Sequence, residues 1–120
     1  MPHPIKIVFA DDKELFRKAI LQNLKDVEGL VCIGEAGNGE ELLSLLKAKR
    51  PHVVLLDLEM PVMDGNEAMS RIMKLYPECR ILVLSYHYEA ELVEDYLRRG
   101  ARGYLCKDVL SGNIPLLVEA

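Results

Sequence analysis

Residues 53–61 read VVLLDLEMP, and the first five of them decide the fold. Four apolar residues in succession fit a strand covered on both faces, the habit of a parallel sheet, rather than the alternation of a half-exposed strand. The run stops on Asp57. An unpaired carboxylate is expensive to bury, so this strand should bring Asp57 to its carboxyl edge and not into its middle.

Outward from this strand the chain alternates short β-branched runs with helical patterns. IKIVFA (5–10) and LVCIGEA (30–36) precede VVLLD, and RILVLS (80–85) and ARGYLC (101–106) follow it. Between them lie helical patterns over 13–27, 39–49, 65–75 and 89–99. The first carries Leu15, Phe16, Ala19, Ile20, Leu24 and Val27 at helical spacing, and Asn38 is placed to cap the second. A last helix is expected from Ser111 or Asn113, because Pro115 is tolerated only in a first turn. Repeated strand–helix units imply an α/β fold: a doubly wound, five-stranded parallel sheet with helices on both faces. Right-handed crossovers leave a few strand orders, and the flavodoxin-like 2-1-3-4-5, one of the two common ones, is the order taken here.

The bulk properties agree. With 120 residues, 50% of them hydrophobic and 28% charged, the chain reads as one globular domain over 1–120. No apolar run approaches the roughly 20 residues of a membrane span, and MPHPIK lacks the apolar stretch of a secretion signal. A net charge of −4 with dispersed Lys and Arg argues against nucleic-acid binding by this domain. Cys32, Cys79 and Cys106 lie in or beside strand runs without CxxC spacing. They read as small buried hydrophobes in a reducing cytoplasm, with no cluster to hold zinc.

Ligands of open α/β sheets bind beyond the carboxyl ends of the strands. Asp11 and Asp12 follow the first strand, Asp57 ends the third, Ser85 ends the fourth and Lys107 follows the fifth. The stated strand order gathers these groups at one edge. Either aspartate of the first pair could cap a helix, but one cap needs one acid. Three carboxylates at one edge repel unless a cation or the lysine offsets them, and hard oxygen ligands suit Mg2+. A carboxylate there can act as a nucleophile on phosphorus, with Lys107 and Ser85 available for the phosphoryl oxygens.

The pattern ADD at 10–12, LLDLEMPVMDG at 55–65, LS at 84–85 and GARGYLCKD at 100–108 resembles the receiver domains of response regulators, the CheY-like partners of sensor histidine kinases. The resemblance covers essentially the whole chain. It implies that Asp57 is the phospho-acceptor, and that Asp12, Asp57 and the Glu59 backbone carbonyl bind Mg2+ (or Mn2+), with Asp11 acting through water. Ser85 and Lys107 would contact the phosphoryl group, which a sensor histidine kinase or a phosphotransfer protein would supply. Tyr104 matches the switch aromatic, which turns inward with the Ser85 hydroxyl on activation. By pattern alone it is a half-buried strand residue. The resemblance implies a switch that catalyses only its own phosphorylation and dephosphorylation. Its active state would rearrange the face of the fourth helix, fifth strand and fifth helix, with a homodimer on phosphorylation as one outcome.

Pro61, Asp64 and Gly65 match the loop after the acceptor: Pro61 fixes the turn, Gly65 relieves it and Asp64 caps the third helix. Asp108 after the lysine resembles the NarL/LuxR-type branch, whose receivers precede a helix-turn-helix. The chain is therefore expected to be the N-terminal part of a longer DNA-binding regulator, with a stand-alone receiver as the alternative.

Tyr86, His87 and Tyr88 depart from the small residue that often follows the hydroxyl. They would either shield the phosphoryl group or form a loop of exposed aromatics. Glu59, two past the acceptor, and His87 are candidates for tuning hydrolysis. Three rivals compete with the receiver reading. A haloacid-dehalogenase-like phosphohydrolase would carry its nucleophile and the acid two residues on, which Asp57 and Glu59 superficially resemble, after the first strand and not the third. A flavodoxin-like binder needs a phosphate loop longer than Gly37-Asn38-Gly39, and a pseudo-receiver docking module would leave chemical positions unfilled.

Overall fold

The computed structural model describes residues 3–107. In chain order it runs β1 (Ile5–Ala10), α1 (Glu14–Leu24), β2 (Leu30–Ala36), α2 (Gly39–Ala48), β3 (Val53–Asp57), α3 (Gly65–Leu75), β4 (Arg80–Ser85), α4 (Ala90–Arg98) and β5 (Gly103–Cys106). Every strand pair is parallel, and the sheet order is β2-β1-β3-β4-β5, as the alternating pattern predicts. The expected last helix and Asp108 lie outside the described residues.

All five residues of β3 are buried, the property that VVLLD advertises. Successive strand side chains point to opposite faces, so the sheet feeds two cores. Val8, Val54, Leu56, Ile81 and Val83 pack with Leu42 and Leu46 of α2, Met69 and Ile72 of α3 and Tyr96 of α4. Ile7, Phe9, Leu55 and Leu84 pack on the other side with Ile20 and Leu24 of α1.

Several local expectations are corrected. The first helix stops at Leu24 and not at Val27: the Val27 N–H turns back to the Leu24 carbonyl, and Gly29 takes a positive φ of 87° before β2 begins. Its buried stripe is Phe16, Ile20 and Leu24, while Leu15 and Ala19 face outward. The fourth helix begins at Ala90. The fifth strand begins at Gly103 because the Arg102 N–H is already spent on the Ile81 carbonyl and Ala101 closes the turn after α4. As an edge strand β2 is less buried than its apolar sequence suggests, and Cys32 upon it is exposed. Cys79 is buried as expected.

The caps follow the sequence. Asn38 Oδ1 accepts the Glu41 N–H at 2.9 Å, and Asp64 Oδ1 accepts the Glu67 N–H at 3.0 Å. At Gly100 the backbone takes φ +117°, which ends α4. Gly65 serves another purpose. A Cβ there would lie 2.3 Å from the Asp57 carbonyl oxygen and 2.6 Å from the Leu58 Cα. The start of α3 is thus pressed against the backbone of Asp57, with the Gly65 N–H bonded to the Leu58 carbonyl at 3.1 Å. Gly65→Ala should lower stability by about 2–3 kcal/mol, since the obstruction is backbone on both sides. Urea unfolding followed by circular dichroism will show the shifted midpoint.

Candidate functional site

The carboxyl ends of β1, β3, β4 and β5 meet as the strand order requires. Asp57 and Asp11 are both 0% exposed. Asp11 Oδ1 accepts the Lys13 N–H at 2.8 Å, closing a turn over the start of α1, and no side chain caps that helix. Asp12 is exposed, 3.7 Å from the Lys13 ammonium. One oxygen from each of Asp11, Asp12 and Asp57 lies within 4.8 Å of the others.

Lys107 enters this group from the end of β5. Its Nζ stands 3.0 Å from Asp11 Oδ2 and 3.0 Å from Asp57 Oδ1, and its side chain is 1% exposed. Asp57 Oδ1 also accepts the Glu59 N–H at 3.2 Å. The other oxygen, Asp57 Oδ2, is buried with no hydrogen-bond partner among the described residues. Asp11 Oδ2 touches the ammonium without good hydrogen-bond alignment, so that contact is best described as an ion pair. Three carboxylates that each bring an oxygen within 4.8 Å of the others are a donor set that fits a hard divalent cation.

Burial, followed by the neighbouring Asp11 charge, raises the Asp57 pKa from 3.8 to about 6, against the opposing pull of Lys107. Burial works in the other direction on Lys107. Its close contacts with the Asp11 and Asp57 carboxylates prevail, and its pKa lies above the ordinary lysine value.

Ser85 is buried at the end of β4, one residue beyond the Leu84 that pairs with Asp57. Its Oγ accepts the His87 N–H at 2.9 Å. The Tyr104 ring is already buried, and its hydroxyl donates to the His87 carbonyl at 2.6 Å. Tyr104 lies between Tyr96 and Tyr88, at ring-centroid distances of 6.1 and 6.3 Å. Burial raises the Tyr104 pKa, and a hydrogen bond with Ser85 opposes the rise. The Glu59 side chain turns away from the acids toward His87, 3.7 Å away, with both side chains more than half exposed.

The structure therefore brings together Asp11, Asp12, Asp57 and Lys107, with Ser85 and Tyr104 on the adjoining strands. Glu59 and His87 form a pair at the surface. Sequence reasoning missed two neighbours. Phe16 presents its ring to the Lys107 Nζ at 4.9 Å, and the Arg17 guanidinium donates to the Asp11 carbonyl while holding Glu35 at 2.7 Å. The helical stripe marks Phe16 as core, but nothing in the spacing says that an ammonium lies across its face.

Comparison with known proteins agrees with this geometry. Residues 7–119 match the response regulator receiver domain. The chain belongs to the response regulator receiver family. NarL of Mycobacterium tuberculosis, a transcriptional regulatory protein, is 36% identical over 107 residues, 89% of this chain and 50% of its own length. The response regulator GacA of Pseudomonas aeruginosa is 35% identical over 86% of this chain and 48% of its own length. The chain thus spans about half of these relatives. Among solved structures, the signal receiver domain of the M. tuberculosis NarL superposes with a TM-score of 0.89 at 35% identity, covering 98% of this chain and 95% of that one. A CheX–CheY–BeF3–Mg2+ complex from Borrelia burgdorferi gives a TM-score of 0.89 at 29% identity, covering 97% and 87%.

The raised Asp57 pKa has a sign that can be measured. Between 3.8 and about 6 the folded, metal-free protein holds a proton on Asp57 that the unfolded chain releases. Raising the pH through that window therefore favours unfolding, and an ionised Asp57 weakens the fold at neutral pH. In EDTA at pH 7.5, Asp57→Asn should be more stable than wild type, by on the order of 2 kcal/mol. Thermal melts at pH 4 should show the difference closing.

Proposed function

We propose that this domain accepts a phosphoryl group on Asp57 from the phosphohistidine of a sensor histidine kinase or phosphotransfer protein, and relays the event by changing shape. The observation that supports this most is the uneven use of the Asp57 carboxylate. Lys107 and the Glu59 N–H hold Oδ1, while Oδ2 is buried and unpartnered. Oδ2 is the oxygen left to attack phosphorus. As its bond to phosphorus forms, the P–N bond of the donor breaks and its electron pair returns to the imidazole.

The remaining roles follow from position. Asp12, Asp57 and the Glu59 carbonyl would hold Mg2+ or Mn2+, with Asp11 reaching it through water. The bound ion supplies positive charge against the carboxylates and the phosphoryl oxygens. Lys107, already between two negative charges, turns its N–H groups to a phosphoryl oxygen. Ser85 would donate a hydrogen bond from its hydroxyl to another such oxygen, which links the occupancy of Asp57 to Tyr104 through the His87 backbone between them. Glu59 and His87, paired beside the acceptor, would influence how water reaches the acyl phosphate.

This chain spans about half the length of NarL and GacA, and by analogy with them the whole protein would act on transcription, in the cytoplasm and through the C-terminal helix-turn-helix that the resemblance to the NarL/LuxR-type branch implies. The receiver itself does not touch DNA, and a homodimer is one outcome of its phosphorylation. Incubation with Mg2+ and a phosphorylated histidine kinase should add the mass of one phosphoryl group, removable with hydroxylamine as acyl phosphates are. Asp57→Asn should stay unmodified. Label persisting in that variant would overturn the reading.

A further inference from the structure

An acceptor must be reached, yet Asp57 is 0% exposed and the Lys107 side chain 1% exposed. The layer above them is aromatic. The Lys107 Nζ lies 4.9 Å from the Phe16 ring centroid and 5.3 Å from that of Tyr86. Phe16 is fixed from within, edge-on to the buried Phe9 at 6.3 Å. Tyr86 is the outer member, 46% exposed at the start of the loop after β4. A desolvated ammonium attracts an aromatic face, so the same cation that pairs the two carboxylates also holds the outer ring in place.

We propose that Tyr86 is a cover over the acceptor, latched onto Lys107, and that it makes the domain selective for a protein phosphodonor over small diffusible ones. This rests on Asp57 being the acceptor. A donor reaches Asp57 only in the fraction of molecules whose ring has lifted, and its apparent rate is reduced by that fraction. A small donor makes no contacts that could drive the ring aside. A macromolecular donor has a surface to use: Leu15 is 87% exposed, Val62 76% and Tyr88 62%, on the first turn of α1 and the loops after β3 and β4. Contacts made there with remote parts of a donor can drive local opening, as binding energy does elsewhere in catalysis. Val62 also holds a positive φ of 66°, a strained state for a β-branched residue that keeps its side chain presented.

The test compares wild type, Tyr86→Ala and Tyr86→Phe in two measurements. The first is acetylation of Lys107 by a small amine reagent, mapped by peptide mass, which requires no phosphoryl transfer. The second is phosphoryl incorporation from phosphoramidate with Mg2+, followed by intact mass. Removing the ring should raise both rates about tenfold, the size expected from losing a desolvated cation–π contact. Tyr86→Phe keeps the aromatic face and should stay close to wild type in both. Transfer from a phosphorylated histidine kinase should change much less than transfer from phosphoramidate.

Unchanged or slower phosphoramidate transfer in Tyr86→Ala, with Lys107 no more reactive, overturns the cover. Equal acceleration with both donors overturns the selectivity. If Lys107 becomes reactive in Tyr86→Ala but no protein takes a phosphoryl group from either donor, the cover is upheld and the phospho-acceptor reading is refuted.

Discussion

One ammonium between two buried carboxylates is the interaction on which the rest of the site depends. Lys107 is 3.0 Å from both Asp11 and Asp57, and neither acid has access to solvent to disperse its charge. Removing charges from water is unfavourable even when they are paired, and here one positive charge faces two negative ones. The residual imbalance appears as the upward displacement of Asp57 to about 6. Such a site is incomplete by construction: it gains stability from added positive charge, and it is ready to pass its lysine to a new anion. The strand order enforces the arrangement. A parallel sheet puts Asp11, Asp57, Ser85 and Lys107 at one edge, and the succession β1, β3, β4, β5 places them side by side there.

The backbone keeps that edge from relaxing. The start of α3 presses on the carbonyl of Asp57 at a distance that excludes even a methyl group at Gly65. Gly39 donates its N–H to the Met63 carbonyl at 2.9 Å, which ties the loop after β3 to α2. Arg17 holds the Asp11 carbonyl from the other side while paired with Glu35 on β2. The acids therefore cannot separate to relieve their repulsion, and the electrostatic strain is kept for use.

Much of this was legible in the sequence, because parallel sheets write themselves plainly. Uninterrupted apolar runs gave the strands, and the residues just after them gave Asp11, Asp12, Asp57, Ser85 and Lys107. Errors arose where tertiary position overrode local pattern. Leu15 fits a helical stripe but faces outward, and Cys32 lies on an apolar strand that happens to be the sheet edge. Phe16 was readable as core but not as a wall for Lys107, since a one-dimensional period cannot say which group from 91 positions away, 107 − 16, meets a ring. Tyr104 reads by pattern alone as a half-buried strand residue, whereas its ring is buried, packed between Tyr88 and Tyr96.

That inward tyrosine ties the acid site to the far side of the sheet. Tyr96, which packs against it, lies under the Arg99 guanidinium at 4.8 Å, and its hydroxyl donates to Asn66 Oδ1 at 3.3 Å. Arg99 itself donates to Asn66 Oδ1 at 2.5 Å and to Ser70 Oγ at 3.0 Å. Asn66 directly follows Gly65, the residue pressed against Asp57. The contacts therefore close a circuit: from Asp57 through the start of α3 to α4, and back through Tyr96, Tyr104 and Ser85 to the same edge. In a packed circuit of this kind one member cannot shift without its neighbours finding a second arrangement, the condition under which a local charge change moves a whole face. Tyr104 packs against Tyr96 of α4 and is joined to Ser85 through the His87 backbone, so it stands where the acid edge meets that helix.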